Sequence, residues 1–284
     1  MEKRLFGLSV AIATPFDKNG KIELDEFEKH VINLLNSNVN SITFFGTTGE
    51  GPSISFDEKI KSLDYLLKKN LKLEHVIVSI IVSSFETAKF EVKKYNKLGI
   101  RNFLIAPPFF FKEPNQIALE DWFTNVFSGS GINNKFFLYN IPQITKIKIT
   151  YELVNKLQKR FGNQIVGIKD SSGDIEQTNR FLKLKDIMIA VGDERLIALA
   201  MKSGGAGSIC GLSNIYPEIL LDIINNKKDN PKILRIVKQI LKYPVVPAIK
   251  SLISIKTKNK IWLNVRPPLN NLSDKSLESL KKIF

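Results

Sequence analysis

The chain has 284 residues, 43% hydrophobic and 25% charged, an ordinary balance for a folded protein that excludes disordered, collagenous and fibrous classes. Lysine plus arginine outnumber aspartate plus glutamate by 42 to 28, a net charge of +14. Only seven of those cations are arginine and the lysines are scattered over every helical segment, whereas a nucleic-acid reader gathers charge on one face and uses arginine for bidentate contacts; the excess reads as a solvated surface, with no nucleic-acid partner.

A single cysteine, Cys210, excludes an intrachain disulfide and a thiolate zinc site, and fits a reducing, cytoplasmic compartment. At the start, Lys3 and Arg4 precede an apolar run over 5–13 with Ala11 and Ala13 in A-x-A spacing, which imitates a signal peptide. The run is short, is interrupted by Gly7 and Ser9, and flows into Thr14-Pro15-Phe16, so it reads as a first strand and turn. No stretch reaches about 18 uninterrupted apolar residues, so no membrane span or membrane partner is expected.

Apolar, β-branched runs recur at 8–13, 41–45, 76–82, 102–106, 136–140, 165–168, 187–191 and 206–210. Amphipathic stretches lie between them, with Leu24, Phe27, Val31, Leu34 and Leu35, then Ala88, Val92, Tyr95 and Leu98, then Tyr151, Val154, Leu157 and Phe161 at helical spacing. Ser55 with Glu58 and Ser83 with Glu86 read as capping boxes. Strands without polar alternation are buried on both faces, the mark of a parallel sheet covered by helices. Eight strand–helix units fit a closed (β/α)8 TIM barrel of the α/β class. An open doubly wound sheet should carry a glycine-rich phosphate turn after its first strand, and Thr14-Pro15-Phe16-Asp17 offers none. Residues 1–215 therefore read as the barrel, and 216–284 as its last helix and a C-terminal helical extension, with helices over 217–225, 232–241, 247–255 and from Ser273.

Barrels of this kind work at the carboxyl ends of their strands, and four such ends carry chemistry. Gly46-Thr47-Thr48-Gly49-Glu50-Gly51 follows the second strand; it is either a glycine-rich turn or a carboxylate cradle of hydroxyls and exposed N–H groups. Tyr139 closes the fifth strand, either satisfying a buried hydrogen bond or passing protons at the mouth. Lys169 ends the apolar sixth strand, where loss of water disfavours its ammonium and favours the neutral amine that a Schiff-base nucleophile needs; the other reading pairs it with Asp170. Gly192-Asp193-Glu194 and the glycines from Gly204 to Gly211 flank the last two strands, admitting a phosphate or simply packing closely. His30 and His75 sit away from strand ends, so neither zinc nor hydroxyl–histidine chemistry is supported. Lysine chemistry is left.

Taken in order, Gly46-Thr47-Thr48-Gly49-Glu50, Tyr139-Asn140-Ile141-Pro142, Gly167-Ile168-Lys169-Asp170, Gly192-Asp193-Glu194 and Arg266-Pro267-Pro268-Leu269 resemble the dihydrodipicolinate synthase and N-acetylneuraminate lyase family over almost the whole chain. The resemblance implies a class I, metal-independent lyase with no cofactor, acting on pyruvate and an aldehyde or 2-keto acid, usually as a homotetramer or dimer. It makes Lys169 the Schiff-base nucleophile, Tyr139 the proton-transferring tyrosine and Thr47 its hydrogen-bond partner. Thr48, helped by the backbone at Ile209, would hold the pyruvate carboxylate. Ser171, Gly192, Asp193 and Glu194 match positions that touch the sugar-acid chain in the lyase branch.

The departures from that pattern concern the second substrate. Ile144 stands where the synthase branch has a carboxylate-gripping arginine, and Pro108-Phe109-Phe110 lacks the hydroxyl that branch lends across a subunit interface. Ser79 replaces a frequent glycine, and Gly211 falls near a substrate-binding serine of the neuraminate lyase. What remains looks like an aldolase for a 2-keto-3-deoxy sugar acid. The alternatives are dihydrodipicolinate synthase itself and a non-catalytic binding or scaffold protein on the same fold.

Overall fold

The computed structural model describes residues 6–283; Lys3 and Arg4 of the signal-like start lie outside them, and the apolar run that follows enters the first strand. In chain order the described strands are β1 (Gly7–Ala11), β2 (Ser41–Phe44), β3 (Val76–Ile80), β4 (Asn102–Ile105), β5 (Lys135–Asn140), β6 (Ile165–Asp170), β7 (Met188–Val191) and β8 (Gly207–Cys210). Each pairs in parallel with the next, and β1 closes on β8 with Gly7 opposite Gly207 and Val10 opposite Cys210. The closed barrel is the architecture that the strand–helix alternation predicts.

Helices α1 (Leu24–Asn36), α2 (Phe56–Lys68), α3 (Phe85–Lys97), α4 (Gln116–Ser130), α5 (Pro142–Thr145), α6 (Tyr151–Phe161), α7 (Ile175–Phe181), α8 (Ile197–Lys202) and α9 (Pro217–Asn226) connect and follow the strands. After them come α10 (Pro231–Ile240), α11 (Val245–Thr257) and α12 (Asp274–Lys281). No helix of the described residues is long and apolar enough to cross a membrane.

The two-residue period of a strand sorts its side chains between two cores. Leu8, Val10, Phe44, Phe103 and Ile168 face outward into the layer shared with the helices. Ala11, Ile77, Leu104, Phe137, Tyr139 and Ile209 fill the barrel interior. Phe137 has room because its register partner Gly167 lacks a side chain; a Cβ there would stand 2.2 Å from Phe137 Cε1. Between Phe136 and Phe137 the β5–β6 register slips by one residue, a bulge that brings Tyr139 opposite Lys169. Without that slip the two would not be neighbours.

The Ser55–Glu58 capping box is formed in both directions, Glu58 N donating to Ser55 Oγ and Ser55 N to Glu58 Oε2. The Ser83–Glu86 box is not. Helix α3 is capped by Ser84, which accepts from Thr87 N, while Ser83 Oγ donates to Phe109 O and accepts from Phe109 N, joining the β3 and β4 loops. Two adjacent serines let tertiary contact choose the cap. Strand β6 also runs past the predicted 165–168, because Lys169 and Asp170 continue the ladder against Ala190 and Val191.

The C-terminal helices reach back to the barrel mouth through charge. Lys250 on α11 is 0% exposed, with Nζ 2.6 Å from Glu50 Oε1, and Glu50 Oε2 accepts from Arg266 N. Lys250 and Arg266 both lie over the Phe16 ring, 4.4 and 4.5 Å from its centroid. Burial pulls the Lys250 amine down to about 8 against the opposing pull of Glu50. Arg266 also donates to Gly20 O, Ser53 O and the Glu58 carboxylate, and its hydrogen bonds hold Glu58 down at about 2. Asn214 makes a second tie, donating to Ala11 O and Gly211 O and accepting from Ala13 N. His30 Nε2 lies 3.0 Å from Asn214 Oδ1, and burial pulls that imidazole down to about 4, so the ring is neutral at pH 7.

Breaking one side of a buried pair strands the other charge, so Lys250→Met should lower stability by about 3–5 kcal/mol. The double variant Glu50→Gln/Lys250→Met should recover a large part of that loss, read as the midpoint of chemical denaturation.

Candidate active site

Four strand ends converge at the carboxyl mouth of the barrel. On β6 the strand period turns Lys169 inward and Asp170 outward. Asp170 is fully engaged there: Oδ1 accepts from Asn140 Nδ2 at 2.8 Å and from Ser172 N, and Oδ2 accepts from Thr178 Oγ1 at 2.7 Å. Asn140 Oδ1 in turn accepts from Ile149 N. This outer network fixes the ends of β5 and β6 and removes Asp170 as a partner for the lysine.

Lys169 is 5% exposed and no carboxylate of the described residues forms an ion pair with it. Its Nζ lies 4.3 Å from the centroid of the Tyr139 ring, so the amine rests on the aromatic face while the phenol points beyond it. Tyr139, 2% exposed, shares a hydrogen bond of 3.2 Å with Thr47 Oγ1. The lysine, tyrosine and threonine expected to act together are therefore in contact as a chain. Ser9 and Thr43 close a second polar pair deeper in the barrel at 2.8 Å.

The β2 loop forms the opposite wall. Gly51 N donates to Gly46 O and Glu50 N to Thr47 O, a tight turn from which the Thr47 and Thr48 N–H groups find no backbone acceptor among the described residues. Gly51 is required by close approach, since a Cβ there would stand 1.7 Å from Phe45 O. Free N–H groups beside two hydroxyls make an anion cradle. The Glu50–Lys250 pair anchors this turn from behind. Thr48 Oγ1 faces β8, 3.4 Å from where a Cβ on Gly211 would be, and Ile209 lies inside the barrel on the same strand.

On the other flank of Lys169 is the β7 end. A Cβ on Gly192 would fall 1.9 Å from Ser171 Oγ and 2.9 Å from Lys169 Cε, so glycine leaves space for both. Glu194 Oε1 accepts from Leu212 N at 2.9 Å. Asp193 differs from its neighbours: both its oxygens are held by the Arg195 guanidinium, at 2.9 and 2.6 Å. Gly204 and Gly205 precede β8 and so stand at the amino mouth, apart from Gly192, where close packing of Gly205 on Ala200 accounts for the missing side chain. They do not join a phosphate site with Gly192. Among the described residues no three histidine, cysteine, aspartate or glutamate side chains converge as metal ligands.

Sequence reasoning had no role for Lys250 or for the Asp170–Thr178 bond. The signal for Lys250 was available: a lysine inside an otherwise apolar helical run, the same anomaly that singles out Lys169.

Comparison with known proteins adds three findings. The profile of the dihydrodipicolinate synthetase family matches residues 4–284. The crystal structure of dihydrodipicolinate synthase from Agrobacterium tumefaciens superposes with a TM-score of 0.96 at 36% identity, covering 98% of each chain. The 4-hydroxy-tetrahydrodipicolinate synthase of Wigglesworthia glossinidia brevipalpis is 32% identical across 98% of this chain and 95% of its own, and a DapA-like lyase of Thermoplasma acidophilum is 34% identical across 75% and 72%.

Gly192→Ala should lower turnover while leaving the fold intact, because its methyl must displace Ser171 or Lys169. Circular dichroism unchanged beside a loss of at least about tenfold in turnover, which corresponds to roughly 1.4 kcal/mol in the activation barrier, is the expected result.

Proposed function

This chain belongs to the dihydrodipicolinate synthetase family, pyruvate-dependent carbon–carbon lyases of the Schiff-base class, and from that footing we propose that it reversibly cleaves a 2-keto-3-deoxy sugar acid to pyruvate and an aldehyde, with Lys169 as nucleophile. The observation that carries this reading is the Lys169 amine, withdrawn from water and resting on Tyr139 with no carboxylate paired to it. Such an amine can add to the keto carbon of the substrate. The protonated imine then draws electrons from the neighbouring carbon–carbon bond, and the enamine left after aldehyde departure is protonated to give bound pyruvate. Tyr139 with Thr47 supplies and removes the proton at the oxygen of the departing aldehyde. The Thr47–Thr48 turn holds the carboxylate, with Ile209 beside it, and Ser171 and Glu194 face the hydroxylated chain.

Two positions support a hydroxylated rather than a carboxylated second substrate. Ile144 on α5 is 58% exposed and supplies no cation, and its neighbour Gln143 is spent on Ser171 O. Phe110 is 91% exposed, so its ring is in solvent in this chain, and it has no hydroxyl to give to a proton relay.

A second reading, condensation of pyruvate with aspartate semialdehyde, is favoured by the names of the relatives from Agrobacterium and Wigglesworthia. The two separate cleanly. Pyruvate release from a panel of 2-keto-3-deoxy acids at rates well above aspartate semialdehyde condensation supports the aldolase; the reverse order establishes the synthase. Borohydride reduction in the presence of pyruvate should add the reduced pyruvate mass to Lys169, and Lys169→Ala should lose that adduct and all turnover. Full trapping in the alanine variant would place the chemistry elsewhere.

A further inference from the structure

At the carboxyl mouth the seam between β1 and β8 is held by a side chain and not by the ladder. The last register pair of that seam is Val10 with Cys210; beyond it β1 runs on toward Thr14 while β8 enters the turn Leu212–Asn214. Asn214, 3% exposed, spans the gap. Its Nδ2 donates to Ala11 O and to Gly211 O, both at 2.8 Å, and its Oδ1 accepts from Ala13 N and from His30 Nε2, both at 3.0 Å. A side-chain amide has two donors and two acceptor positions, so all four are engaged. The three backbone groups can each act in one sense only, which fixes the way the amide faces and requires His30 to carry its proton on Nε2.

The backbone so held leads from two sides to the turn that carries Thr47 and Thr48. Gly211 is the residue of the β8 wall that Thr48 Oγ1 faces. On the β1 side, Ala13 stands between two residues that grip Gly49. Thr14 Oγ1 donates to Gly49 O at 2.8 Å, and Gly49 packs so closely on Ile12 that a Cβ would stand 2.6 Å from Ile12 O. Gly49 directly follows Thr48 in the chain. One amide therefore fixes both supports of Thr48.

We propose that Asn214 is a positioning residue for pyruvate, setting the Thr47–Thr48 turn where the carboxylate needs it while acting only through Ala11, Ala13 and Gly211. The inference rests on the reading of that turn as the carboxylate cradle of a Schiff-base enzyme, and it adds the device that sets the cradle's geometry. Hydrogen bonds weaken steeply once donors turn away from the acceptor, and two chains that part beyond the end of their ladder do not by themselves keep a turn in place. Lys169 and Tyr139 stand on β6 and β5, which Asn214 does not touch. Loss of the clasp should accordingly weaken the hold on pyruvate and spare the step at the amine.

The test is the rate at which pyruvate forms a borohydride-trapped adduct on Lys169, measured against pyruvate concentration so that half-saturation and ceiling are read separately. Asn214→Ala should raise the half-saturating concentration about tenfold, the order expected when buried hydrogen bonds are lost, with the ceiling within about threefold of wild type. A role in folding alone would give the reverse split, a lower ceiling from fewer folded molecules at unchanged half-saturation, and that result overturns the proposal. Thr14→Val removes the hydroxyl that reaches Gly49 and leaves the β1–β8 clasp intact. It should show the same rise in half-saturation, and it decides the matter if the alanine variant folds poorly; an unchanged half-saturation there overturns the proposal as well. Absence of any adduct in wild type would instead remove the Schiff-base reading, so the two failures are distinguishable.

Discussion

A strand can send consecutive side chains only to opposite faces, and in β6 that constraint separates Lys169 from Asp170. The carboxylate is turned into a saturated network of Asn140, Ser172 and Thr178 on the outside of the wall. The amine is turned into the barrel, where its neighbour is an aromatic face. Had both pointed to one side, the carboxylate would stand within ion-pair reach of the amine. Separation of adjacent charges by the wall leaves Lys169 without a carboxylate partner inside the barrel.

The rest of the mouth is organised around that amine by register and by absence. The bulge in β5–β6 sets Tyr139 opposite Lys169, and Gly167 and Gly192 give up side chains so that Phe137 can fill the barrel floor and Ser171 and the lysine can share the β7 flank.

The C-terminal helices contribute at a distance. Glu50 ends the Thr47–Thr48 turn, and its carboxylate is shared between Lys250 and the backbone of Arg266. A buried pair of this kind adds little net stability but tolerates few alternative geometries, which fixes the conformation of the Thr47–Thr48 turn. The extension thereby acts on the cradle without lining it.

The sequence alone determined the barrel and pointed to the strand ends that carry Lys169, Tyr139, Thr47 and Thr48, because strand burial, strand count and a lysine in an apolar run are all local properties of the chain. It could not distinguish Ser83 from Ser84 as a cap, since either offers the same oxygen and only contact with Phe109 decides. Nor could it rank the three acidic residues near the site. Asp170, Asp193 and Glu194 are chemically alike as letters, yet Asp170 is held by Asn140 on β5 and Thr178 on α7, Asp193 by Arg195 on its own turn, and Glu194 accepts from Leu212 N. Asn140 and Leu212 reach Asp170 and Glu194 from distant segments, so those contacts are a property of the closed barrel, whereas Arg195 sits two residues from Asp193.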